Sequence, residues 1–205
     1  MNWDVLISFV GATAVLAISP GPDNIYVLVQ SIINGRSAGM ATVTGLISGC
    51  IVHTSLLALG ISAVIRKNDD IYLGIRIFGA AYLLYLGLKV FKSNSTVSFD
   101  TNVQQQKNLM DLFGQGFLMN VLNPKVTIFF LAFFPAFLFS PTLSTELQFF
   151  ILGGLFMLTS FIIFSAIAFF AGQIKRFTIS HPQSGLVLKW IQIIVFIGIA
   201  IFILL

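Results

Sequence analysis

Charge is scarce in this sequence. Only 9% of its 205 residues are Asp, Glu, Lys or Arg, against roughly 25% in soluble domains. A folded surface of this length could not be kept wet by so few. That shortage excludes a soluble globular enzyme, a disordered chain and a nucleic-acid binder. Cysteine is almost missing too: Cys50 stands alone, so no intrachain disulfide can form and no redox compartment is indicated. Histidine is limited to His53 and His181. No Cys/His cluster has metal-ligand spacing, and no nucleophile–base arrangement or phosphate loop appears. Nothing in the residues points to chemistry on a substrate, to a cofactor or to a resident metal.

What remains is apolar. Hydrophobic residues make up 57% of the chain, and the mean hydropathy is +0.98. The class is integral membrane protein, with the lipid bilayer as its solvent. A net charge of +4 then reads as basic cytoplasmic loops. A spanning helix needs ~20 residues, so this length holds six or seven spans and no soluble domain. The first apolar stretch carries Asp4 in place of a basic n-region, and is expected to be a retained helix rather than a cleaved leader.

The spans lie where charges do not. No Asp, Glu, Lys or Arg occurs between Asp4 and Asp23, Arg36 and Arg66, Lys125 and Glu146, or Glu146 and Lys175. These windows are continuously apolar rather than alternating, which predicts helices and not strands. The expected spans are roughly 4–33, 38–65, 70–91, 112–139, 147–171 and 187–205. Residues 92–111 are rich in Ser, Asn, Gln and Thr, as a linker would be, and they divide the chain nearly in half. The reading is one integral membrane domain over 1–205: repeat one over about 1–91, the linker, and repeat two over about 112–205. With the N-terminus outside, Arg36, Lys89, Lys92, Lys107, Lys175, Arg176 and Lys189 fall inside, against Arg66, Lys67 and Arg76 outside. Both termini are therefore expected outside.

Each half holds three spans. Three is odd, so the second copy enters the membrane the other way up. The expected fold is all-α, with six transmembrane helices arranged as two inverted three-helix repeats. Their first spans are both interrupted by proline. The first reads Ser19-Pro20-Gly21-Pro22-Asp23-Asn24, the fourth Leu122-Asn123-Pro124-Lys125. Proline removes an amide donor and clashes with the preceding turn. Backbone groups freed in hydrocarbon persist only where they line a cavity or find protein partners. Matched breaks are therefore the sequence-level pointer to a binding site, beside the simpler reading of packing kinks.

Asp23 and Lys125 are the only formal charges deep within spans. Each costs ~2.5–3.5 kcal/mol on insertion scales. Asp23 suits the start of a half-helix, where the dipole favours a carboxylate. Asn123 is a good N-cap and Pro124 a good first helical residue. Lys125 then sits where the dipole disfavours a cation, and should seek an anion, either Asp23 or a substrate carboxylate. A zwitterion would suit the pair; a plain structural ion pair would too. Among other marked residues, His53 is a candidate proton relay, although a lone histidine is more often a packing residue. Tyr82 is a candidate path-lining residue, and Tyr85 fits an interfacial belt. Gly45-x-x-x-Gly49 and Gly153-Gly154 read as close helix contacts. Such glycine faces also allow a homodimer.

These elements resemble the LysE/RhtB family of amino-acid exporters. The resemblance is carried by Ser19 to Asn24, Gly35-Arg36-x-x-Gly39, Gly45-x-x-x-Gly49-x-x-x-His53, Gly79-Ala80-Ala81-Tyr82-Leu83, Asn120-x-x-Asn123-Pro124-Lys125 and Phe133-Phe134-Pro135. The rest of the chain matches in span pattern only. The resemblance implies export of amino acids or close derivatives across a bacterial inner membrane, driven by an ion gradient, expected to be protons. It places substrate binding or coupling at Asp23, Lys125, Asn24, Asn123, Pro20, Gly21, Pro22 and Pro124. Glu146 is the only further acid in the second half, which favours neutral amino acids as the small-molecule substrate. A small-ion or metal exporter is a second class, short of inward-facing ligands. A non-transporting membrane subunit is a third, with no need for two buried charges beside matched breaks.

Overall fold

The computed structural model describes residues 2–19, 21–61, 69–92, 108–181 and 184–204. Among them the chain is helical, without strands. The first span is two helices, α1 (Trp3–Ile18) and α2 (Pro22–Ile33), meeting at 59°. Next come α3 (Arg36–Leu56), continued by a π-helical turn over Leu57–Ile61, and α4 (Asp69–Lys92). The second half opens with another bent pair, α5 (Leu109–Val121) and α6 (Pro124–Phe133), at 50°. A 3₁₀ turn (Phe134–Phe137) closes that pair, followed by α7 (Thr145–Phe169), α8 (Ala171–Ser180) and α9 (Ser184–Leu204). Four helices are long and apolar enough to cross a membrane, and six spans result if each bent pair counts as one.

Local chemistry sets the boundaries. Asn2, Asn108, Asn123 and Ser144 each accept a backbone N–H in the first turn of α1, α5, α6 and α7, as side-chain caps do. Pro22 and Pro124 both stand at the first helical position, where the missing N–H costs nothing. Gly35, at φ +87°, makes the turn from α2 into α3, a conformation L side chains rarely adopt.

Glycine brings the halves together. Atoms of the Phe113 and Thr42 backbones occupy the space a side chain would need at Gly45 and Gly116, so α3 and α5 cross closely. Gly79 does the same for α4 against Ala132 of α6. Gly153 meets Thr54 of α3, but Gly154 faces open space and packs against nothing within 4 Å. The expectation of a close contact at that pair therefore holds for one glycine and not for its neighbour. Also, α7 packs on α1, α4 on α9, and α3 on α7. The phenylalanines fill the core. Phe9 of α1 meets Phe133, Phe134 and Phe137 beyond the second break, and Phe129 and Phe130 pack on Phe156 of α7.

Three details differ from the sequence expectation. Residues 171–180 form a helix where a loop was expected, because Ile174 and Thr178 turn inward at helical spacing. Arg76 lies within α4, not in an outer loop, and its Nε donates to the Ile203 carbonyl at the end of α9, 2.6 Å away. There it answers the negative end of that helix. The fourth span starts earlier than expected, with Leu109 already beginning α5. Residues 93–107, Arg66, Lys67 and Pro20 lie outside the described residues.

Candidate functional site

The two breaks face each other. Gly21 caps α2 in extended conformation, which puts Asp23 in the first turn of α2, buried at 9% exposure. Asn24 Nδ2 donates to the Ala17 carbonyl at 2.7 Å, tying the start of α2 to the last turn of α1. Across the bundle, Asn123 has two tasks. Its Oδ1 accepts from the Lys125 amide at 3.0 Å and caps α6. Its Nδ2 donates to Asp23 Oδ2, also at 3.0 Å. One asparagine thus joins breaks a hundred residues apart in sequence.

Asp23 and Lys125 do not form a direct ion pair. The Lys125 ammonium lies 5.1 Å from the centre of the Phe196 ring of α9, a cation–π contact. It also stands 3.5 Å from where a side chain at Gly21 would begin. Gly21 therefore leaves room for the cation beside the first break. The other carboxylate oxygen, Asp23 Oδ1, is buried and has no hydrogen-bond partner. Two hydroxyls on the same broken span share that condition, Thr13 Oγ1 and Ser19 Oγ. A third orphaned hydroxyl, Ser165 Oγ, lies on α7. Ser31, Thr42 and Thr54 all bond back to the carbonyl four residues earlier, whereas Thr13 and Ser19 do not. An unsatisfied buried polar atom costs about 1–3 kcal/mol, and orphans in native structures call for a partner.

Behind this layer lies a second one, in which the sequence reading gave a site role to His53 alone. Asn120, at the end of α5, receives the Asn123 amide (3.0 Å) on its carbonyl. His53 Nε2 reaches the same carbonyl at 3.1 Å, and Cys50 Sγ donates to Asn120 Oδ1 at 3.7 Å. Gly49 makes this possible: a Cβ there would sit 2.7 Å from Asn120 Oδ1. The motif spacing Gly49-x-x-x-His53 against Asn120-x-x-Asn123 was the available clue: the first stretch lies on one face of α3, and the second brackets the break. Tyr26 OH bonds Gln115 Oε1 between α2 and α5, another contact with no sequence signature. Phe196 had none either.

Of the sequence-marked residues, Asp23, Asn24, Gly21, Asn123 and Lys125 gather at the junction, and Pro22 and Pro124 set its two helix starts. His53 stands one residue behind. Tyr82 is not joined to them: half-buried on α4, its ring lies 6.0 Å from that of Tyr85. Among the described residues no group of three His, Cys, Asp or Glu side chains is placed to hold a metal ion.

Comparison with known proteins agrees with a transmembrane carrier. Uncharacterized membrane protein YrhP of Bacillus subtilis (strain 168) is 34% identical over 141 residues, covering 65% of this chain and 67% of that protein. Homoserine/homoserine lactone efflux proteins of Salmonella typhi and of Salmonella typhimurium (strain LT2) are each 26% identical over 174 residues, covering 85% of this chain and 84% of theirs. No solved structure matches. The model of LysE type translocators, which are transporters and not enzymes, matches residues 14–205. That match runs through both helix breaks and all the spans that follow, and on its extent this chain belongs to the LysE type translocator family.

Proposed function

We propose that this protein is a secondary transporter exporting neutral amino acids or close derivatives from the cytoplasm, with the substrate held where the two helix breaks meet. The observation that carries this reading is the divided charge pair. Asp23 keeps one oxygen for Asn123 and has the other buried without a partner, while Lys125 rests on an aromatic face. A zwitterion supplies what each lacks. Its ammonium would take Asp23 Oδ1 with Ser19 Oγ, and its carboxylate would take Lys125 Nζ. Charges held apart in a low-dielectric site are costly alone and strongly attractive to a complementary ligand.

The relatives named for homoserine efflux support a small amino acid. The orphaned hydroxyls of Thr13 and Ser19 suit a substrate with a polar side chain. Proton coupling would run through Asp23, whose free oxygen can carry either a proton or the substrate ammonium. The inverted repeat is supported by the packing: α3 lies on α5 as α7 lies on α1, and the last spans of each half, α4 and α9, pair with each other. The location that follows is a bacterial inner membrane, with both termini outside.

Metabolite release tests the proposal. Cells expressing the protein are fed a panel of dipeptides, which are hydrolysed inside, and every amino acid in the medium is measured. Release of one or a few, lost in Asp23→Asn and in Lys125→Ala with the proteins still inserted, is expected. Normal release by either variant removes that residue from the site. No release above the empty vector for any amino acid overturns the substrate class.

A further inference from the structure

We infer that His53 is a positioning residue that splints the second helix break; this rests on the site proposed above. The imidazole touches both sides of that break. Its Nε2 lies 3.1 Å from the Asn120 carbonyl at the end of α5, and its ring centre lies 5.5 Å from that of Phe130 on α6. The same carbonyl takes the backbone N–H of Asn123, and Asn123 holds Asp23. His53 is thus linked to the carboxylate through one peptide group and one asparagine. The surroundings are shaped for this. Gly49 clears space for the Asn120 side chain, and the thiol of Cys50, one turn before His53, lies 3.7 Å from that side chain's oxygen.

The chemistry separates splint from relay. A peptide carbonyl can only accept, so Nε2 carries a hydrogen. The neutral Nε2–H tautomer and the imidazolium both donate there, and the bond persists whether or not the ring is charged. A relay needs one ring nitrogen to receive a proton and the other to pass it on. Here Nε2 faces an acceptor that is far too weak a base to take the proton onward. Holding Asn120, and through it Asn123, is the role that geometry leaves, closer to the packing reading of a lone histidine than to the relay.

Three substitutions test this. The Nε2 of glutamine reaches the position of His Nε2 and donates, but cannot titrate; asparagine and leucine cannot make the bond. Cys50 is the chain's sole cysteine and is buried against Asn120, so its labelling by N-ethylmaleimide reports the state of Asn120 without any substrate. Purified protein in lipid vesicles should label slowly as wild type and as His53→Gln. His53→Asn and His53→Leu should label about tenfold faster, the loss expected for one buried hydrogen bond. With L-homoserine as probe, counterflow and pH-gradient-driven uptake should both survive in His53→Gln and both fall in His53→Asn. Equal labelling of all four proteins overturns the inference. So does a His53→Gln protein that keeps counterflow but loses gradient-driven uptake, the mark of a relay. If wild type moves no L-homoserine, the homoserine-type substrate fails, while Cys50 labelling still decides the role of His53.

Discussion

Among the described residues, the bond from Asn123 to Asp23 links the two breaks, and its strength can be measured by a double-mutant cycle. Asn123→Ala removes two things at once. Loss of the α6 cap costs ~1 kcal/mol. Loss of the 3.0 Å bond to the carboxylate removes about 1.5–3 kcal/mol, the range for a hydrogen bond with an ionised partner. The single variant should therefore lose about 2.5–4 kcal/mol. Asp23→Ala has no sign fixed in advance, because it deletes a costly buried charge together with its partner's bond. The coupling is what the structure fixes. In Asp23→Ala/Asn123→Ala only the cap remains to be lost at residue 123, so the two single effects should fail to add by about 2 kcal/mol. The assay is reversible unfolding of the four proteins in mixed micelles, read by circular dichroism. Asn123→Ser adds an internal control: its hydroxyl can cap α6 but is too short to reach Asp23, so it should lose the bond alone. Additivity within ~0.5 kcal/mol would refute the idea that this bond joins the halves.

Other outcomes follow from packing and backbone. Gly153→Ala should destabilise by more than about 1 kcal/mol, because Thr54 fills its space, whereas Gly154→Ala should be neutral or stabilising by up to ~1 kcal/mol, since nothing lies within 4 Å; unfolding midpoints of the two variants compare them directly. Gly35→Ala meets no atom but must adopt φ +87°, and should cost about 1–3 kcal/mol by the same measurement. Gln148 accepts from the amides of Phe139 and Ser140 and donates to the carbonyls of Ser140 and Leu143. Gln148→Ala should therefore leave the 139–143 segment open to limited proteolysis that spares the wild type. A reporter joined to the C-terminus should read as periplasmic, and a cytoplasmic signal would overturn the orientation.

Much of the fold was legible because bilayer physics leaves a long trace in sequence. A charge-free window of twenty residues has few other meanings, and Pro22 and Pro124 mark where helices must restart. The cap at Asn123 was legible too, because Asn before Pro suits a helix start, whereas those at Asn2, Asn108 and Ser144 were not read. What lay outside the sequence was anything decided by which helix meets which. Nothing in Asn123 tells that its amide group finds Asp23 rather than Lys125 finding it directly. Phe196 is one apolar residue in a run of apolar residues until α9 settles beside α6. The helix at 171–180 was missed because its apolar face is only a few residues wide, too short for periodicity to stand out from a loop. Gly153 and Gly154 are indistinguishable as letters, yet only one of them faces a neighbour.

The separation between Asp23 and its partner has a consequence for how the protein is made. Chains grow at about 5–20 residues per second, and a hundred residues lie between Asp23 and Asn123. For roughly 5–20 s, then, the newborn first half carries the Asp23 carboxylate with no Asn123 yet in existence. Asn24 already holds the Ala17 carbonyl within the broken first span, so what waits for the second half is the carboxylate, which is better held at a wet, protein-lined exit than released unpaired into lipid. Arrival of the second break would be the step that commits both halves to the membrane together.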